Sequence, residues 1–132
     1  MGNSAKLDRL RQGYEAFDRG DLDALREFLA PDIVWHSGGD NALTGDYKGI
    51  DEVFGLFGKL FEVTDGTFKQ EVHELLAGDE HSVAITHSTA QRSDGRTLDI
   101  DQVAIFHSDD QNRISEAWLL PQDQKAADAF FA

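Results

Sequence analysis

The stretch YEAFDRGDLDALREFLAPDIVWHSGGDNALTGDYKG, residues 14–49, decides the fold. Leu7, Leu10, Tyr14 and Phe17 recur at spacings of three, four and three, so they form one stripe of a helix running to about Asp18, and Tyr14 points inward. Gly20 suits the C-terminal cap and Asp21 the next N-cap. A second helix is therefore predicted to carry Leu22, Leu25, Phe28 and Leu29 before Pro31. Ile33 to Ser37 is short, β-branched and aromatic, as a strand is, with Ile33, Trp35 and Ser37 on one face; Gly38-Gly39-Asp40-Asn41 ends it. A Gly-bracketed loop carrying Tyr47 leads to a third helix with Ile50, Val53, Phe54, Phe57, Leu60 and Phe61, and Asp51 and Glu52 favour its N-terminal end. Gly55 and Gly58 weaken that helix by roughly 1 kcal/mol each relative to Ala, and they read as a device for close packing.

From Thr67 onward the period is two. Phe68, Gln70, Val72 and Glu74 alternate with Lys69, Glu71 and His73, and Gly78-Asp79 breaks the run. Val83, Ile85, His87, Thr89 and Gln91 share a face of the next strand, which ends at the Ser93-Asp94-Gly95 turn. Then Asp99, Asp101, Val103, Ile105 and His107 alternate, Asp109-Asp110-Gln111-Asn112 turns the chain, and Ile114 to Leu120 places Glu116, Trp118 and Leu120 together until Pro121. Ala126, Ala127, Phe130 and Phe131 read as a short helix or an apolar tail. Strands joined by short turns pair antiparallel, so the class is α+β: a curved, meander-like sheet with the helices of the N-terminal half on its concave face, in one domain over residues 1–132. Its unpaired edges and outer face suit a homodimer.

With 12 basic residues against 25 acidic ones, the formal charge is −13 and there is no basic run, so the field repels phosphate backbones and anionic lipid surfaces. Nucleic acid and membranes are not expected partners. The chain has no cysteine, which excludes disulfides and thiolate chemistry. No leader-like start and no membrane-length apolar window occur, and a cytoplasmic protein is expected. There is no His-x-x-x-His, calcium loop, phosphate-binding glycine loop or Gly-x-Ser-x-Gly, so no metal and no cofactor are expected.

Tyr14-Glu15-Ala16-Phe17 with Gly20-Asp21-Leu22-Asp23-Ala24-Leu25, Leu29-Ala30-Pro31-Asp32-Ile33-Val34-Trp35, Thr44-Gly45-Asp46-Tyr47-Lys48-Gly49, the Asp94-Gly95-Arg96 turn and Asn112-Arg113-Ile114 together resemble the nuclear transport factor 2-like superfamily. Within it they resemble the ketosteroid isomerase and SnoaL-like polyketide cyclase proteins. The resemblance implies a cone-shaped fold with a cavity under a bent sheet, usually in a homodimer. It also implies an oxyanion site in which Tyr14 and a protonated Asp101, kept neutral by apolar surroundings, donate hydrogen bonds. Ser37, beside His36, stands where the isomerase carries its base, and a lone hydroxyl does not shuttle a carbon-bound proton.

Asp101 alternates with Val103 and Ile105, and if those face the cavity so does its carboxyl, where desolvation raises a pKa. Asp99 shares that face and would couple to it. His87, between Ile85 and Thr89, reads as an inward residue able to exchange a proton with Asp101. His73 and His81 read as surface residues. Trp35, Trp118, Phe57, Phe61 and Leu120 suit the wall of a pocket for a cyclic apolar molecule, with Tyr47 at its mouth, and they suit equally a core that binds nothing. The expected function is binding of a small apolar or oxygenated cyclic molecule, with cofactor-independent proton transfer next to a carbonyl of the isomerase, cyclase or dehydratase kind. The alternative is a non-catalytic ligand-binding or dimerisation module.

Overall fold

The structure is a computed structural model that describes residues 2–132, with side chains from residue 4 onward. Helix α1 (Gly2–Asp18) buries Leu10 and Ala16. Gly20, at φ 69°, closes it, with Gly20 N–H donating to the Phe17 carbonyl at 2.9 Å and Asp21 N–H to Ala16 at 2.9 Å. Asp21 then caps α2 (Leu22–Arg26), its carboxylate accepting from Ala24 N–H at 3.1 Å.

This second helix stops three residues short of Leu29. The Phe28 carbonyl accepts from Ile114 N–H at 2.9 Å and Leu29 pairs with Ile114, so a sheet ladder captures residues whose spacing alone reads as helix. Strand β1 (Leu29–Ser37) thus begins earlier than Ile33, and Pro31, which has no N–H to give a ladder, sits in the register irregularity between Leu29 and Val34. The Gly-bracketed segment is also a strand, β2 (Gly45–Lys48), paired antiparallel with β1 from Val34↔Lys48 to Ser37↔Gly45.

Helix α3 (Ile50–Val63) buries Val53, Leu56 and Phe57. Gly55 and Gly58 serve no close packing: both are exposed, and a Cβ on either would meet nothing within 4 Å. Gly55→Ala and Gly58→Ala are each expected to stabilise the fold by roughly 0.5–1 kcal/mol through helix propensity and a less free unfolded chain. Urea unfolding measures this, and a loss of stability in either variant would contradict it.

Strands β3 (Lys69–Ala77), β4 (His81–Gln91), β5 (Thr97–Ser108) and β6 (Ile114–Pro121) form an antiparallel meander, and β1 adds parallel to β6, giving the order β2-β1-β6-β5-β4-β3. Pro121 lies within β6 rather than after it. A register shift between Val72 and Glu74 moves Glu74 off the face it was expected to share with Val72, and Leu75 takes the buried position. The last segment is helical, α4 (Gln124–Phe131), with Phe130 and Phe131 buried.

Arg92 and Arg96, at the Asp94-Gly95 turn, reach that helix's C-terminal carbonyls: Arg92 Nη1 donates to Phe130 at 2.9 Å and Arg96 Nη1 to Ala129 at 3.1 Å. The Arg96 side chain also holds the Asp94 carboxylate, keeping its pKa down at about 2. The Gly38–Asn41 loop docks on α4 through Asp128, which accepts from Asp40 N–H at 3.0 Å and Asn41 Nδ2 at 2.8 Å. Gly39 suits that loop, its φ of 83° being one that side chains rarely adopt, and a Cβ there would run into the Gln124 and Asp128 side chains. The core divides into one group around Ile33, Val53 and Phe57 and another around Leu10, Ala104 and Phe106, and Trp35 packs against both.

Candidate functional site

Between the helices and the concave face of the sheet lies a cavity of about 160 Å³. Its walls include Tyr14 and Phe17 from α1, Trp35 from β1, Phe57 from α3 and Phe106 from β5. Trp35 meets Phe57 edge to face at 5.0 Å and Phe106 at 6.2 Å, and Phe17 meets Phe57 at 5.1 Å.

The sheet leaves this room where the inner face of β4 is built from small residues. On β4 the inward positions are Ser82, Ala84, Thr86, Ser88 and Ala90, all buried, while Val83, Ile85, His87 and Thr89 are partly exposed on the other side. On β5 the buried or cavity-lining positions are Leu98, Ile100, Gln102, Ala104 and Phe106.

The parity expected from the sequence is therefore reversed for both strands. Asp101 and His87 are brought together, as register partners with His87 Nδ1 2.7 Å from Asp101 Oδ1, but on the outer face. Asp99 closes on His87 Nε2 at 2.6 Å, and His73 stacks on His87 at 5.9 Å. The cause is physical: the outer faces carry β-branched Val83, Ile85, Val103 and Ile105, while the inner face of β4 carries small residues. Bulk read as burial selects the wrong face, and a one-residue error turns every side chain over.

The remaining expected site residues divide in the same way. Tyr14, Trp35 and Phe57 line the cavity, as does Ser37. Trp118 lies on the outer face, stacked on His36 at 5.6 Å, and Leu120 beside it is 51% exposed. Tyr47 does not line the cavity; its hydroxyl donates to the Leu43 carbonyl at 2.8 Å and fastens the β2 loop. Sequence reasoning missed Ser82, Ser88, Gln70 and Gln102, whose signal is the run of small or polar residues alternating with bulky ones.

Tyr14 keeps its proton. Burial raises its phenol pKa, and the nearby Asp18 carboxylate raises it further, so the group is a neutral donor. Two residues that line the cavity also carry a buried polar atom with no hydrogen-bond partner among the described residues, Trp35 at Nε1 and Ser88 at Oγ, and Ser88 is only 1% exposed. A buried polar group left unpaired costs about 1–3 kcal/mol, so each is a standing preference for a ligand or water oxygen. No Asp, Glu or His side chain lines the cavity among the described residues.

The outer face carries the chain's histidines instead. His36 is held between Asp46, 2.7 Å from Nδ1, and Glu116, 2.6 Å from Nε2. Two carboxylates on one ring favour imidazolium: the Glu116 contact, then Asp46, raises the His36 pKa, and Asp101 chiefly raises that of His87. A raised folded pKa means the stabilisation is complete below the unfolded value of about 6.5 and is lost as pH climbs through the raised value. Thermal stability is therefore expected to fall as pH climbs above about 6.5, with a shallower fall in the His36→Gln/His87→Gln double variant. A melting series over that range checks it, and identical slopes would contradict it.

With this geometry in view, the relatives take on meaning. Rv0034 of Mycobacterium tuberculosis, an uncharacterized protein, is 30% identical over 132 residues, covering 100% of both chains. The structure of Bal32a, from a soil-derived mobile gene cassette, superposes with a TM-score of 0.95 at 29% identity over 100% of both chains. An NTF2-like protein of unknown function from Burkholderia pseudomallei superposes with a TM-score of 0.86 at 21% identity over 96% of this chain and 97% of its own, a likeness of fold. The signature of the SnoaL-like domain matches residues 10–117, from the second half of α1 through most of the cavity wall to Ala117 in β6, and the chain belongs to the SnoaL-like domain family.

Proposed function

We propose that this protein binds one small cyclic, oxygen-bearing molecule in the concave cavity, holding it by apolar enclosure and by neutral hydrogen-bond donors. The observation that carries the reading is the pair of unpartnered buried polar atoms, Trp35 Nε1 and Ser88 Oγ, on residues of a mainly apolar wall that holds no carboxylate and no imidazole among the described residues. Indole N–H can only donate, so the ligand must offer an acceptor there, and the neutral Tyr14 phenol offers a further donor. A cavity of about 160 Å³ is the size that holds a single aromatic ring, since engineered cavities of about 150 Å³ bind benzene.

Binding and orientation are favoured over proton transfer by side chains. The chemistry expected of Asp101 and His87 needs a base beside the substrate's carbon, and that pair meets on the opposite side of the sheet. The wall of the cavity offers donors, not bases.

The outer face belongs to the same reading. Val83, Ile85, Val103, Ile105 and Trp118 form an apolar strip there, with Leu76 49% and Leu120 51% exposed. A second copy of the chain is the proposed cover. Val103 and Leu120 are register partners across β5 and β6. Val103→Lys/Leu120→Lys is expected to sediment as a folded monomer where the parent sediments as a dimer, and a monomeric parent would overturn the dimer.

The binding reading is tested by melting the protein with acetophenone, phenol or toluene. A ligand of the native state raises the melting temperature, and acetophenone should do so more than toluene. Trp35→Phe should cost acetophenone about 2- to 10-fold in affinity and leave toluene unchanged, the effect of one neutral hydrogen bond. No shift with any of them would contradict the reading.

A further inference from the structure

The cavity's charge pattern is unlike that of the whole chain. Of a chain with 25 acidic and 12 basic residues, the cavity wall takes no acidic side chain and two basic ones, Lys6 and Arg9, both from α1. Neither has a carboxylate within ion-pair reach among the described residues, although both approach acidic residues. Lys6 Nζ donates to the backbone carbonyls of Gly78, at 2.9 Å, and Asp79. Arg9 donates from Nε to the Asn112 carbonyl at 3.1 Å and from Nη2 to the Glu27 carbonyl at 3.1 Å.

Those contacts fix the two cations without neutralising them. The Arg9 guanidinium lies 4.9 Å over the Phe28 ring, itself part of the wall, so its plane is set from one side while its edge is set by two carbonyls. Lys6 retains a third N–H and Arg9 its Nη1 donors, with no protein partner among the described residues. Ser82 and Ser108 line the same end of the cavity. Ser82 opens β4 just after the Gly78-Asp79 turn that Lys6 holds, and Ser108 closes β5 just before the turn that Arg9 holds through Asn112. Ser88 lies six residues along β4 from Ser82, which is about 20 Å at strand spacing, so this cationic end is distinct from the Ser88 end.

We infer that the cavity's ligand is a cyclic or aromatic carboxylate, its carboxylate seated on Lys6 and Arg9 and its ring directed along the wall toward Trp35. The inference rests on the binding reading above and deepens it by naming the ligand's charge. Two cations held by carbonyls gain a full charge-assisted partner when a carboxylate enters. Their advantage is local, because a net charge of −13 distributed over the surface is screened beyond about 8 Å at physiological salt.

The test compares benzoate, methyl benzoate and benzamide, followed by the Trp35 fluorescence of Trp118→Phe, in that background alone and with Lys6→Met or Arg9→Gln added. Benzoate is expected to bind about 10-fold or more tightly than its two neutral analogues. Lys6→Met and Arg9→Gln should each weaken benzoate about 10-fold and leave methyl benzoate within about twofold, which also shows that the variants are folded. Methyl benzoate binding as tightly as benzoate, or benzoate indifferent to both substitutions, would overturn the carboxylate while leaving the binding reading intact. Binding of none of the three would overturn both.

Discussion

Phe57→Ala is expected to destabilise the fold by about 3–5 kcal/mol, seen as a lower urea midpoint with an unchanged slope. Phe57 is 4% exposed on α3 and is the ring that joins helix to sheet, in edge-to-face contact with Phe17 at 5.1 Å and Trp35 at 5.0 Å. Truncation removes the transfer free energy of the ring and both aromatic contacts, and it enlarges a cavity already present, so the walls cannot collapse to recover the loss. Tyr47→Phe is the fitting comparison: it removes only the hydroxyl bonded to Leu43, and should cost about 1 kcal/mol. A loss below about 1 kcal/mol for Phe57→Ala would mean that α3 is not anchored through this ring.

Gly13→Phe is expected to close the cavity to ligand without unfolding the protein. Gly13 lies within α1 and lines the cavity, and a Cβ there would meet Phe28 at 3.9 Å and Leu25 at 4.0 Å, ordinary contact distances. A benzyl group extending from that point competes for a space that holds about one ring. Affinity for acetophenone should fall by at least about 10-fold, while melting in the absence of ligand stays level or rises because Phe is a better helix former than Gly. Gly13→Ala is the control, adding helix propensity while leaving nearly all of the space. Undiminished binding in Gly13→Phe would remove the ligand from this cavity.

Helices were more legible in the sequence than sheet faces, for a physical reason. The stripe Leu7, Leu10, Tyr14, Phe17 and the Gly20-Asp21 punctuation are local, and α1 ends at Asp18 as its spacing predicts. Leu29 and the β2 segment were misread because their backbone partners, Ile114 and Val34–Ser37, come from other strands and leave no trace in local spacing. Tyr14, Trp35 and Phe57 were found because each is large and periodic on its element. Ser82, Ser88 and Gln102 were not, because a cavity is made by what is small, and small polar residues on a strand read as a solvent face. The reversed reading of Asp101 and His87 has the same origin: their outer face carries Val83, Ile85, Val103 and Ile105, whose bulk imitates a core.

The chain's two tryptophans divide the molecule for one decisive measurement, since Trp35 lines the cavity and Trp118 stands on the outer face. Fluorescence titration with acetophenone and benzoate is carried out on Trp118→Phe, in which only Trp35 reports, and on Trp35→Phe, in which only Trp118 does. Ligand in the concave cavity gives a saturable change from Trp35, abolished by Gly13→Phe, and none from Trp118. A saturable change from Trp118 with a silent Trp35 would place the ligand on the outer face beside the histidines and contradict a functional cavity.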